Sequence, residues 1–153
     1  MREYKFRGKP TKNNASYFEE KEFVYGSLVI SNDKYYILLE VLDNIKRDDY
    51  EVYIIEVIPE TVGQYTGLKD KNRKEIYNGD ILELNKDGRI FYGTSDGLLA
   101  KKYQLVGFKN GAFMTCRNKY LIDDYDTYLW IIYKYSTVVG NIYDNKNLLE
   151  KGE

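Results

Sequence analysis

The sequence predicts a mainly β protein, made of short antiparallel strands and hairpins with little helix. Three observations predict it. Tyrosine occurs 17 times and aromatics are 16% of residues, while alanine stands only at Ala15, Ala100 and Ala112; aromatic and β-branched side chains suit a pleated, half-buried surface, whereas helices favour alanine. Apolar runs of strand length recur along the chain, separated by Gly, Asn and Asp turn signals. No stretch of about ten residues or more carries a convincing helical apolar period. A chain of 153 residues, 43% hydrophobic and 31% charged, suits a folded domain with a sizeable core, or two small lobes.

Each element follows in chain order. Residues 4–9 (YKFRGK) alternate like a short strand, ended by Gly8 and Pro10. A polar loop, TKNNAS, follows. Residues 16–26 (SYFEEKEFVYG) hold the best helical candidate, a weak one. Residues 23–30 (FVYGSLVI) and 34–42 (KYYILLEVL) flank Ser31-Asn32-Asp33, which predicts a hairpin turn. A charged connection leads to residues 50–58 (YEVYIIEVI), apolar on nearly both faces except at Glu51 and Glu56, the pattern of a central strand. Pro59 ends it, because proline cannot donate to a ladder. Asp87-Gly88 and Asn110-Gly111 each stand between apolar runs and predict two-residue hairpin turns. Residues 120–144 form a long β-rich run containing Trp130, and the tail NKNLLEKGE has room for one helical turn. The pattern predicts a small barrel or two orthogonal sheets. The predicted boundary divides a β-rich lobe, 1–62, from a second β lobe, 63–153.

Composition narrows the chemistry. A net charge of −1 gives no global attraction for a polyanion, so nucleic-acid binding requires a local patch. The single cysteine, Cys116, allows no intramolecular disulfide and no multi-cysteine zinc site. It stands beside Arg117 and reads as a small packed residue rather than a nucleophile. Histidine is absent, which removes Ser-His-Asp and Cys-His nucleophiles and His-ligated metals. No apolar run reaches the roughly 18 residues of a membrane span, and no secretory h-region opens the chain. The Asn14-Ala15-Ser16 sequon therefore reads as chance. The expected location is the cytoplasm of a bacterial host cell, with no membrane partner, cofactor or metal.

The stretch at 58–84, IPETVGQYTGLKDKNRKEIYNGDILEL, invites chemistry and fails two tests. A phosphate loop needs G-x-x-x-x-G-K-[ST] before a helix, but Gly63 and Gly67 are too close, Lys69 precedes Asp70, and a strand follows. A calcium loop starting at Asp70 meets Lys74, Glu75 and Ile81 where an oxygen ligand, the turn glycine and the bidentate glutamate belong. A carboxylate pair drawn from Glu60, Glu75, Asp80 and Glu83 is the remaining acid–base candidate. Such residues near turns more commonly hold the turn, and no catalytic residue is assigned. The binding candidates are Tyr65, Lys69, Lys71, Arg73 and Tyr77, with Lys74 among them and Lys101, Lys102, Tyr103 and Lys109 farther along. Interleaved aromatic and basic side chains suit single-stranded nucleic acid. Asp70, Glu75 and Asp80 stand among these cations, which favours an ordinary solvated hairpin. Gly63, Gly67 and Gly79 are assigned to backbone geometry and Asp80 to tying a turn.

Three segments resemble the YopX family of phage and prophage proteins from low-GC Gram-positive bacteria. They are REYKFRGK at 2–9, PETVGQYTGLKDKNRKEIYNGDIL at 59–82, and VVGNIYDNKNLL at 138–149. Their order and spacing agree with the family over nearly the whole chain. Two departures stand out: Asn72-Arg73 where the family has Asn-Gly, and Asn78 where it has an acidic residue. A turn needing positive φ at Arg73 would cost about 1 kcal/mol, unless the turn changes type or Asn72 takes that conformation. The resemblance implies a mainly β fold, a C-terminal region like an SH3-type barrel, and self-association, with a trimer as one form. It brings no activity with it. The reading is therefore a non-enzymatic phage or prophage accessory protein that binds a protein partner, with single-stranded nucleic-acid binding as the alternative.

Overall fold

The computed structural model describes residues 3–12, 22–42, 50–91, 102–116 and 125–150. The TKNNAS loop beyond Lys12, the helical candidate up to Lys21, the charged connection at 43–49, Lys101 and Arg117 lie outside the described residues. The chain is mainly β, with antiparallel strands throughout. It divides after Tyr65 into two compact units.

The first unit holds β1 (Phe6–Gly8), β2 (Val24–Ser31), β3 (Lys34–Leu42), β4 (Tyr50–Val57), a 3₁₀ turn (Pro59–Thr61) and the start of β5 (Gly63–Lys69). The strand order is β4-β3-β2-β1-β5. Asn32 and Asp33 both take positive φ, 51° and 60°, between the paired Ser31 and Lys34. That is the backbone a two-residue hairpin requires, and the SND signal is answered. One face of the sheet packs Val24, Ile37, Ile55 and Val57, with Phe6, Leu28, Tyr35 and Leu39 against them. A Cβ on Gly8 would stand 2.8 Å from the Val57 side chain, so glycine lets β1 approach. On β1, Phe6 faces this core while Arg7 turns to the Phe23 ring, 4.3 Å from its centroid, and Lys9 reaches the same ring at 5.3 Å. The alternation of the N-terminal motif is thus a packing pattern.

The central-strand expectation for β4 is corrected. β4 ends the strand order, and among the described residues no strand pairs its outer side from Tyr50 to Ile55. Only its last residues are met: Pro10 bridges Val57, Thr11 N–H donates to Glu56 C=O, and Ile58 N–H donates to Lys9 C=O. The apolar pattern on both sides describes the strand's two faces and says nothing of its neighbours.

β5 carries the chain into the second unit and pairs there with β6 (Glu75–Tyr77). Then come β7 (Asp80–Leu84), α1 (Lys86–Phe91), β8 (Tyr103–Lys109), β9 (Ala112–Cys116), β10 (Tyr125–Tyr128), α2 (Leu129–Ile132), a 3₁₀ turn (Tyr133–Tyr135), β11 (Ser136–Asn141) and a last 3₁₀ turn (Lys146–Leu149). The sheet runs β10-β9-β8-β7-β11. It is buried on both faces: Leu82, Leu84, Val106 and Val138 pack with Ile76, Leu129 and Ile132, while Ile81 and Leu105 pack with Leu149. The SH3-type barrel is not met, because no sheet closes among the described residues: β10 and β11 end the order unpaired with one another.

Two turn readings part company. Asn110 and Gly111 take φ of 52° and 78° between β8 and β9, as the Asn-Gly signal predicts. Asp87-Gly88 instead lies inside α1. The Asn85 side chain accepts the Gly88 N–H at 2.8 Å, so Asn85 caps a helix where a hairpin was expected. Likewise residues 129–135 interrupt the predicted β run with helical turns, whose Leu129 and Ile132 complete the core. The tail makes the single turn expected of it.

Candidate functional site

The family-like stretch builds one hairpin, and Asp70 organises it. Asp70 is 5% exposed. Its Oδ1 accepts the N–H groups of Asn72 and Lys74 at 2.8 and 2.9 Å, and its Oδ2 accepts Val138 N–H at 2.9 Å. Lys71 N–H donates to Ser136 C=O at 3.0 Å. One carboxylate therefore closes the β5–β6 turn and clips it to β11, satisfying three backbone donors. Arg73 itself takes the left-handed conformation, φ 68°. The turn keeps the geometry that glycine suits, and arginine bears the strain.

The second turn, between β6 and β7, is tied by Asp80, whose Oδ2 accepts Tyr77 N–H at 2.8 Å. Gly79 there has φ 86°, and its N–H and C=O bond to Val106 and Ile142. Gly67 has φ 82°, whereas Gly63 is a buried strand residue opposite Arg7. The third motif is explained similarly. Asn141 Oδ1 accepts the N–H groups of Tyr143 and Asp144, both at 3.0 Å, and Asn145 packs over Gly140 where a Cβ would stand.

Of the predicted binding residues, Lys69, Lys71 and Arg73 are exposed, and so is Lys74. Tyr65 and Tyr77 are buried, 4% and 2% exposed, so neither presents a ring for stacking. Tyr77 O–H donates to Glu75 Oε2 at 2.6 Å. The acid–base candidates are engaged separately. Asp80 holds its turn, Glu75 takes the Tyr77 hydroxyl, and Glu83 pairs with Lys102 at 2.8 Å. Hydrogen bonds from Lys102 to Glu83 and then Tyr103 raise the ammonium pKa above the usual lysine value. Glu60 is exposed on the 3₁₀ turn of the first unit. Among the described residues no group of His, Cys, Asp or Glu gathers to hold a metal ion. Cys116 is buried.

Sequence reasoning missed an apolar surface on the first unit. Register places Ser27, Leu38 and Ile54 side by side on the face away from the core, with Val29 and Tyr36 next to them. Ile54 is 63% exposed and Val52 54%, and Tyr25 and Val29 are also exposed. Beside them runs a groove of about 650 Å³, lined by Tyr4, Tyr25, Ser27, Leu38 and Val52 among others. The available signal is the two-sided apolar pattern of 50–58, which by itself reads as burial.

Comparison with known proteins agrees with these motifs. The model of the family described as YopX protein matches residues 5–150. The solved structure of protein EF1440 from Enterococcus faecalis is similar in fold: TM-score 0.52, 21% identity, covering 97% of this chain and 99% of that one. No curated protein matches. No helix among the described residues is long and apolar enough to cross a membrane.

Proposed function

This chain belongs to the YopX family, and from that premise we propose that it is a phage or prophage accessory protein that works by binding another protein, without catalysis. The observation that carries the reading is β4, an edge strand with the composition of a central one. Edge strands ordinarily carry charge, proline or a bulge to discourage pairing. β4 carries Glu51 and Glu56, yet it also exposes Val52 and Ile54 along a side that no strand among the described residues pairs. The occupant that fits is an extended segment of a partner protein. It adds a strand along β4 and lays alternate apolar side chains over Ile54 and Val52. Backbone hydrogen bonds supply affinity, and the groove near Tyr25 and Leu38 supplies selectivity.

Cross-linked capture from host lysate tests this with the wild type and a Val52→Glu/Ile54→Glu variant. The expected result is a distinct partner held by the wild type and lost from the variant, with its cross-links mapping to β4. Recovery of further copies of this chain alone, or capture indifferent to the substitutions, overturns it. The alternative of stacking single-stranded bases on the β5–β6 hairpin loses its support, because Tyr65 and Tyr77 are buried.

A further inference from the structure

We propose a second binding site, on the second unit: the β5–β6 turn and Lys134 form a cationic surface that holds the phosphate backbone of duplex nucleic acid. Mixed charge in the sequence argues against this, since Asp70, Glu75 and Asp80 stand among the cations. The fold separates them. Asp70 and Asp80 point inward, 5% and 1% exposed, and both accept backbone N–H groups. Glu75 takes the Tyr77 hydroxyl. Lys69, Lys71, Arg73 and Lys74 remain on the outside.

A further cation comes from another part of the chain. Ser136 accepts the Lys71 N–H, and exposed Lys134 lies two residues before it, with its Nζ 5.7 Å from the Tyr133 ring centroid. The start of α1 reaches the same region, because Asn85 N–H donates to Tyr135 C=O. It brings exposed Lys86 and exposed Asp87. Glu83, opposite Thr137, is paired with Lys102. Asp87 is the exposed acid on these elements among the described residues, and half-buried Glu75 keeps its charge beside the turn. The positive sign of the surface survives both.

Duplex is favoured over single strand because the turn itself, Lys69 to Lys74, holds no aromatic ring, and the Tyr133 ring has the Lys134 ammonium over it. Phosphate contact needs only cations, whereas single-strand binding draws on aromatic faces. A two-stranded hairpin also has the width to enter a major groove. The contacts read no bases, so binding is independent of sequence and strongly dependent on salt. Arg73 fits this reading: it holds a strained φ at the tip of the turn, a cost that persists where the side chain is used.

Anisotropy titration of a labelled random-sequence duplex against the intact protein, across salt concentrations, tests the proposal. The wild type should give a log–log salt slope of about −4 to −5, and each cation removed should reduce it by about 0.9. Lys71→Glu/Arg73→Glu/Lys74→Glu should abolish binding while far-ultraviolet dichroism is unchanged. Arg73→Gly separates charge from folding, since it relieves strain yet should lose affinity and slope. Lys146→Glu, beyond the other end of β11, makes off the surface the same charge change that Lys71→Glu makes on it, and should leave binding intact where Lys71→Glu weakens it. Failure to bind duplex at low salt overturns the proposal, and so does an equal loss with Lys146→Glu. Tighter binding of single strands, or binding of polyglutamate in place of duplex, also overturns it; polyglutamate would point to an acidic protein surface. The variants lie apart in sequence and unit from Val52 and Ile54, so this site and the protein-binding face fail independently.

Discussion

Asp70 and Arg73 hold opposite energetic roles within one four-residue turn. Asp70 bonds three backbone N–H groups from a nearly buried position. Asp70→Ala leaves those donors without their acceptor and should destabilise the protein by about 3 kcal/mol. Asp70→Asn keeps one acceptor oxygen but turns an amide toward a donor, so it should recover only part of the loss. Urea denaturation measures both, and a change under about 0.5 kcal/mol for the alanine variant would refute the clamp. Arg73 has φ 68°. A left-handed residue with a Cβ costs about 1–2 kcal/mol, partly offset by the greater chain entropy of glycine. Arg73→Gly should therefore stabilise by about 0.5–1 kcal/mol in the same assay.

Elements show the competition between local signals most directly. Asp87-Gly88 is a hairpin signal by composition, yet Asn85 caps Gly88 and starts α1. Asn85→Ala should cost about 1 kcal/mol, and Asn85→Ser should restore most of it; an equal loss in both would show that capping is not the cause. β4 makes the same point for strands. Ile55 faces the core, whereas Ile54 faces outward. Ile54→Glu should change stability by less than about 0.5 kcal/mol. Ile37→Ala, at a fully buried position in β3 opposite Ile55, should cost about 2–5 kcal/mol. Thermal melts of the two variants distinguish an exposed apolar face from a buried one.

For the whole molecule, the two proposed surfaces belong to separate compact units and share no residue. Ile54→Glu should remove partner capture and leave the salt-dependent titration unchanged, while Lys71→Glu should do the reverse. The double variant should lose each to the same extent as the single variants, because sites that share no residue and no partner act additively. A loss of nucleic-acid binding in Ile54→Glu would refute that independence.

The sequence by itself determined the class of the fold, the family, and the two hairpin turns at Asn32-Asp33 and Asn110-Gly111. These depend on local backbone preference and on apolar patterning, both of which act within a few residues. It also marked Gly79 and Asp80 as a backbone turn. Tertiary structure alone decided which side of a charged hairpin faces water. Asp70 and Lys71 are neighbours in the chain, but the carboxylate turns inward because Val138, 68 positions later, brings it a backbone donor. The same holds for Tyr65 and Tyr77, whose rings look available in the sequence and are buried in the fold. β4 has a composition that reads as central, yet its place at the edge depends on which strands pair beside it. Pairing and burial are set by residues far apart in the chain, and no local window contains them.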